Sequence, residues 1–176
     1  MRLQDKVALI TGGAQGIGRA IALGMGQEGA QVIVADLQAE KAETVAVELR
    51  ALGAEALALD VNVASEQSVQ RLAERTFERF GRVDILVNNA AVYLKAPVVS
   101  KSEEEWDRTV DLNLGGNFLC ARAFVPAMRR QKSGRIISIA SSIAHNGARE
   151  FPDYAASKAA IIGFVKALAR ELGPDG

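Results

Sequence analysis

Cysteine and histidine are almost absent from this chain: its 176 residues hold one cysteine, Cys120, and one histidine, His145. A single thiol excludes an internal disulfide, and a single imidazole excludes a histidine-rich metal site, so no metal is expected. An excess of one charge is also lacking, because 21 basic residues balance 21 acidic ones. Nothing there marks an electrostatic binder of nucleic acid. Long apolar runs are missing. The first, Val7 to Ile10, is flanked by charges and is too short for a signal peptide. No run approaches the roughly 20 apolar residues that span a bilayer. Repeats, linkers and low-complexity segments are absent as well. Because 49% of the residues are apolar, the chain can bury a sizeable core. The expectation is one domain over residues 1–176, soluble and cytoplasmic, with neither a nucleic-acid nor a membrane partner.

What is present alternates. Val7 to Ile10 is a short continuous apolar run, the mark of a strand buried on both faces. The glycine-rich turn Thr11-Gly12-Gly13-Ala14-Gln15-Gly16-Ile17-Gly18 follows, and a helix then ends at Gly29. Gln31 to Asp36 reads as a second strand, Ala39 to Leu52 as a helix closed by Gly53, and Ala56 to Asp60 as a third strand. Ser65 caps a helix to Phe80 that Gly81 closes, and Asp84 to Asn88 is strand four. Ser102-Glu103-Glu104-Glu105 is a capping box that opens a long helix through Arg130, with a kink or break expected at Pro126. Arg135 to Ile139 is strand five, and a last helix runs from the neighbourhood of Tyr154 to Leu172. Apolar strands alternating with helices predict an α/β fold, a doubly wound parallel sheet covered on both faces. In such sheets ligands sit beyond the carboxyl ends of the strands.

The glycine-rich turn lies at such an end. Glycines let the backbone approach a phosphate, and the following helix offers free N–H groups. The dinucleotide fingerprint G-x-G-x-x-G fails at its last position, which is Ile21, and a P-loop fails because Arg19 and Ala20 stand where Lys and Ser/Thr are needed. A nucleotide triphosphatase is thereby disfavoured. Asp36 ends strand two, where a carboxylate accepts hydrogen bonds from an adenosine ribose and repels a 2′-phosphate. No Lys or Arg stands within Gly12–Gly18 or just after Asp36. NAD is therefore favoured over NADP.

Tyr154 and Lys158 stand four residues apart, so their side chains leave one face of a helix. A fixed cation beside a phenol favours its ionised form, which suits an acid/base tyrosine. Together with Asn88-Asn89-Ala90 and Ser141, and in the order and spacing seen here, these motifs resemble the classical short-chain dehydrogenase/reductase family from one end of the chain to the other. The resemblance implies a Rossmann-like sheet in the order 3-2-1-4-5. It assigns cofactor binding to Gly12, Gln15, Gly16, Ile17 and Gly18 at the pyrophosphate, Asp36 and Leu37 at the ribose, Asp60 and Val61 at the adenine, and Asn88 and Ala90 after strand four. Tyr154 would be the acid/base. Lys158 would hold the nicotinamide ribose and lower the tyrosine pKa, and Ser141 would bind the substrate oxygen, with Ser138 and Ser142 as decoys. Asn113 would support a water-mediated proton path to the lysine.

An oxidoreductase acting on a ketone or secondary alcohol is implied. Members of the family also include 3-oxoacyl thioester reductases, sugar and polyol dehydrogenases, and aryl or steroid alcohol dehydrogenases. Tyr93, Ile143, His145 and Phe151 follow strands four and five and are pocket candidates. Two departures stand out. Ala91 replaces a usual glycine, which would strain the loop if the backbone there needs a positive φ. Members normally continue past Leu172 into a sixth strand, a substrate loop and a seventh strand. Without those, residues 1–176 are expected to bind NAD weakly and turn over little, and an NAD-binding or interaction module without turnover is the alternative reading. The last helix is apolar nearly all round, which with the resemblance implies a homodimer or homotetramer.

Overall fold

Strands Val7–Thr11 (β1), Gln31–Asp36 (β2), Ala56–Asp60 (β3), Ile85–Asn88 (β4) and Arg135–Ser138 (β5) pair in parallel in the order β3-β2-β1-β4-β5. The computed structural model describes residues 1–176. Its helices are Gly16–Gln27 (α1), Ala39–Ala51 (α2), Glu66–Phe80 (α3), Glu103–Val110 (α4), Gly116–Gln131 (α5), Ile143–Asn146 (α6) and Pro152–Leu172 (α7). The chain steps outward one way from β1 through β2 to β3, then crosses from β3 to β4 on the other side of β1 and continues to β5. The order reverses at β1, and the switch point opens beside it.

Each face of the sheet has its own core. Ala8, Ile10, Val32 and Val34 meet Ala22 of α1 and Val45 and Leu49 of α2. On the other face Leu9, Ile33 and Leu86 meet Val69 and Leu72 of α3 and Cys120 and Phe124 of α5. Each such fully buried aliphatic side chain contributes roughly 1.5–3 kcal/mol relative to exposure. Burial also pushes the Cys120 thiol up to about 12, which leaves it an inert core residue. The sheet's β5 edge is thinly covered, and Ile137 is 43% exposed.

Local signals act as the sequence predicts at several ends. Ser65 Oγ accepts from Ser68 N at 3.3 Å, and Gly81 closes α3 in the left-handed region at φ 71°. The capping box is reciprocal: Ser102 Oγ accepts from Glu105 N, and Glu105 Oε2 accepts from Ser102 N, both at 3.1 Å. Asp84 stands just before β4 rather than inside it. Its carboxylate accepts from Val7 N at 2.9 Å and from Arg82, and so satisfies the first donor of β1.

The long helix from Ser102 departs from expectation. Pro126 lies within an uninterrupted α5, and the irregularity falls earlier, as a π-helical turn at Asp111–Gly115. Such wide turns recur where a functional residue must be re-aimed. No helix is long and apolar enough to cross a membrane.

Candidate active site

A cleft of about 430 Å³ opens at the carboxyl ends of β1, β2 and β4. Its floor is the glycine-rich turn. Gly12 has φ +64°, and a Cβ there would come within 2.9 Å of Ala90 Cα. A side chain on Gly18 would strike the Gly12 carbonyl and the Asn89 amide. Only glycine fits at both positions. Helix α1 starts at Gly16 with no side-chain cap, so its first N–H groups are free to receive an anionic group. Asp36 closes the turn from the side: Oδ2 accepts from Ala14 N and Oδ1 from Gln38 N, both at 3.0 Å.

The sequence candidates Gly12, Gln15, Gly16, Ile17, Gly18, Asp36, Leu37, Val61, Ala90 and Tyr93 all line this cleft. Two others do not. Asp60 is exposed beside Asp36, its partner in the β2–β3 register, and Val61 takes the wall position. Asn88 is buried, and both its side-chain polar atoms lack partners. Because alternate strand residues face opposite ways, the cleft-lining amide belongs to the next residue. Asn89 Nδ2 donates to the carbonyls of Thr11 and Gly12 at 3.0 Å each. Ala91 lies on the cleft wall and is not among the residues with positive φ, so the expected backbone strain is absent.

Helix α7 begins at Pro152, a residue suited to the first helical position because its missing N–H would have no partner there. Nearly two turns on, Lys158 is 3% exposed and has no carboxylate partner. Its Nζ donates to the Ile139 carbonyl, just past β5, at 2.6 Å and stands 5.6 Å from the Tyr154 ring centre. Burial pushes its ammonium below the ordinary lysine value. Ser141 Oγ accepts from Ile143 N at 3.3 Å at the start of the short α6, an element with no periodic signal in the sequence. Ile143 is half-buried and His145 is exposed on that turn. Tyr93 packs edge-on against Tyr154 at 5.9 Å and against Phe151 at 6.0 Å between ring centres.

Asn113 sits within the π-helical turn and is fully buried. Its Oδ1 accepts from Val92 N at 2.8 Å, and its Nδ2 donates to Val92 O at 2.9 Å and to Ser157 Oγ at 3.0 Å. Its main-chain carbonyl accepts from Asn117 Nδ2 at 2.7 Å. Both amide hydrogens are engaged within the protein. The amide is a clamp between the segment after β4 and α7.

Sequence reasoning missed a second buried polar group. Asp153, adjacent to Tyr154, pairs with Lys101 at 3.1 Å, and Thr109 Oγ1 donates to the same Oδ2 at 2.7 Å. Burial alone would push the Asp153 carboxyl up, but the hydrogen bonds from Thr109 and Lys101 and the lysine's charge outweigh it and hold it lowered. Nothing in the sequence pairs residues 52 positions apart.

Sheet order and cleft position define a Rossmann-like α/β protein. A family model described as short chain dehydrogenase matches residues 6–176, and the chain belongs to that family. It is 38% identical over 98% of its length to a 3-oxoacyl-(acyl-carrier-protein) reductase of Thermotoga maritima, covering 70% of that protein. It is 40% identical over 100% of its length to a (2S)-((R)-hydroxy(phenyl)methyl)succinyl-CoA dehydrogenase subunit of Thauera aromatica, covering 71% of it. The crystal structure of a metagenomic short-chain oxidoreductase in complex with NADP matches with a TM-score of 0.95 and 35% identity, over 99% of this chain and 80% of that one.

Proposed function

We propose that the chain is a nicotinamide-dependent oxidoreductase that interconverts a ketone and its secondary alcohol. The observation that carries this reading is Lys158, a buried cation without a counter-ion, set one helical turn from Tyr154, whose ring packs against the cleft-lining Tyr93. A lysine is seldom buried unpaired without a role for its charge. The cleft fits a dinucleotide. The uncapped start of α1 takes a pyrophosphate, Gly12 and Gly18 leave it room, and Asp36 stands where a ribose hydroxyl would donate. When bound, the nicotinamide supplies or accepts the hydride.

The residues of the chain handle the proton. In reduction the Tyr154 phenol donates to the carbonyl oxygen, and in oxidation it accepts from the alcohol. Ser141 donates a hydrogen bond to the same oxygen. Lys158 has three N–H donors, and Ile139 uses one. The other two are available to a ribose hydroxyl, while the charge stabilises the phenolate as it forms. Asp36 favours NAD, whereas the NADP held by the metagenomic relative keeps NADP in contention.

The names of two relatives favour a particular form of substrate, a 3-oxo or 3-hydroxy group on a thioester. Half-buried apolar residues on α7, among them Ile162, Phe164 and Val165, support a homodimer or homotetramer. The test is a panel of ketones, secondary alcohols and 3-oxoacyl thioesters with each nicotinamide cofactor, with Tyr154→Phe as the control. Cofactor binding without turnover of any substrate would overturn the oxidoreductase reading.

A further inference from the structure

The segment between β4 and α4 has no regular secondary structure, yet it is pinned to the two helices beside it. Val92 is held at both its N–H and its carbonyl by Asn113. The Leu94 carbonyl accepts from Lys101 Nζ at 2.6 Å. Ala96 N donates to the Glu150 carbonyl at 3.0 Å, and Lys95 pairs with Glu150 at 3.2 Å. Tyr93 lies between the first two anchors. The residue is 66% exposed, yet its ring meets Tyr154 and Phe151 edge-on.

The second anchor is the unusual one. Lys101 and Asp153 are 3% and 0% exposed, and Asp153 Oδ1 has no partner at all. Removing such a pair from water costs nearly as much as the attraction returns, so it is weak evidence of a stabilising role. What the pair does is geometric. One ammonium reaches both the backbone of the segment after β4 and the carboxylate next to Tyr154 in the chain.

We propose that the buried Lys101–Asp153–Thr109 group is a latch that positions Tyr93. By tying the Leu94 carbonyl to the start of α7, it fixes the Tyr93 ring as the outer wall beside Tyr154 and sets which carbonyl substrates reach the phenol. Lys101, Asp153 and Thr109 are positioning residues, acting through Tyr93. Tyr93 is the specificity determinant. The role in selectivity rests on the oxidoreductase reading above; the latch itself does not.

Two readouts on the full chain test this. Trypsin cleavage after Lys95 reports release of the segment, with cleavage after Lys41, exposed on α2, as the internal control. Selectivity is read as the ratio of kcat/KM for a bulky aryl ketone to that for a small methyl ketone. Asp153→Asn and the paired apolar change Lys101→Met with Asp153→Leu should each speed cleavage after Lys95 roughly tenfold or more, as loss of a charged hydrogen bond predicts, with Lys41 unchanged. Both should shift selectivity toward that of Tyr93→Ala. Should Asp153→Asn fail to fold, Thr109→Val removes one hydrogen bond, keeps the ion pair, and should move both readouts in the same direction by less.

The paired change separates positioning from stability, because an apolar pair often restores the stability of a buried ion pair. Recovered melting temperature with altered selectivity supports the latch; recovery of both overturns its role in selectivity. Unchanged cleavage after Lys95 in every variant overturns the latch altogether. Absence of turnover by the unmodified protein would sink the oxidoreductase reading alone, and the cleavage comparison would still decide the latch.

Discussion

Asn113 Nδ2 donates to the Ser157 hydroxyl at 3.0 Å, and Ser157 in turn donates to the Tyr154 carbonyl at 2.8 Å. A buried amide in a widened helical turn is thus bonded to the residue between Tyr154 and Lys158 that faces away from solvent. Replacing Asn113 with Ala strands the Val92 N–H and carbonyl together and removes the donor to Ser157 Oγ. The expected loss is about 1–3 kcal/mol of stability, since buried unsatisfied groups carry their full desolvation cost. Turnover should fall with it, because the clamp also orients α7. Unchanged melting and rate in the Ala variant would show that the clamp is dispensable.

Tyr154→Phe should lower kcat by about 100-fold to 10,000-fold, the range for losing a positioned acid/base. The edge-on contact with Tyr93 uses the ring alone, and the Ser157 bond uses the Tyr154 backbone, so the fold should be unaffected. Cofactor affinity, measured by fluorescence titration, should change little. Near-normal turnover in that variant would remove Tyr154 from the proton step.

Asp36 joins a hydrogen-bonding role in this structure to the cofactor-selecting role proposed above, and its substitution tests both. On the proposed preference for NAD, Asp36→Ala should narrow the gap between the two cofactors. It also strands the Ala14 and Gln38 N–H groups that the carboxylate accepts. Both cofactors should therefore bind less tightly, NAD losing more. A preference of the unmodified protein for NADP in side-by-side kinetics would contradict the assignment.

Lys158 links the site to pH. Its folded-state value is lowered by burial, so between that value and the ordinary 10.5 the unfolded chain holds the proton more readily than the folded one. The buried charge therefore costs stability at neutral pH, and the cost fades as pH rises through the folded value. Lys158→Met, without the charge, should lack this dependence and lose turnover. The stability difference between the unmodified protein and the variant, from denaturant titration at pH 7 and pH 10, should shift in favour of the unmodified protein at the higher pH. A difference that stays constant would mean that the ammonium is not strained.

Assembly can be checked directly. Ala156, Ala159 and Ala167 of α7 are exposed and Phe164 is only half-buried, although the helix is apolar on nearly every face. Light scattering at micromolar concentration should give a dimer or larger, and a monomer would count against the interface.

The elements themselves were legible because their signals are local. A four-residue apolar run such as Val7 to Ile10, a serine with a glutamate three residues on, and a glycine after a helix each act within one turn of chain. Pro126 does not break α5, because a proline disfavours a helix without forbidding it; the irregular turn formed instead at Asp111–Gly115, where no proline or glycine pair stands at its start. The choice between Asn88 and Asn89 turned on which face of β4 each presents, a question of single-residue register.

From the sequence alone came the alternation that makes a doubly wound sheet, the glycine turn, Asp36 at a strand end and the one-turn spacing of Tyr154 and Lys158. These depend on neighbours within a few residues, where backbone geometry leaves little choice. The depth at which Lys158 is buried, the clamp of Asn113 on Val92 and Ser157, and the pairing of Lys101 with Asp153 were decided by the tertiary structure. Each joins groups that are far apart in the chain. Their value comes from exclusion of water, and water leaves only when separate elements close over the same point.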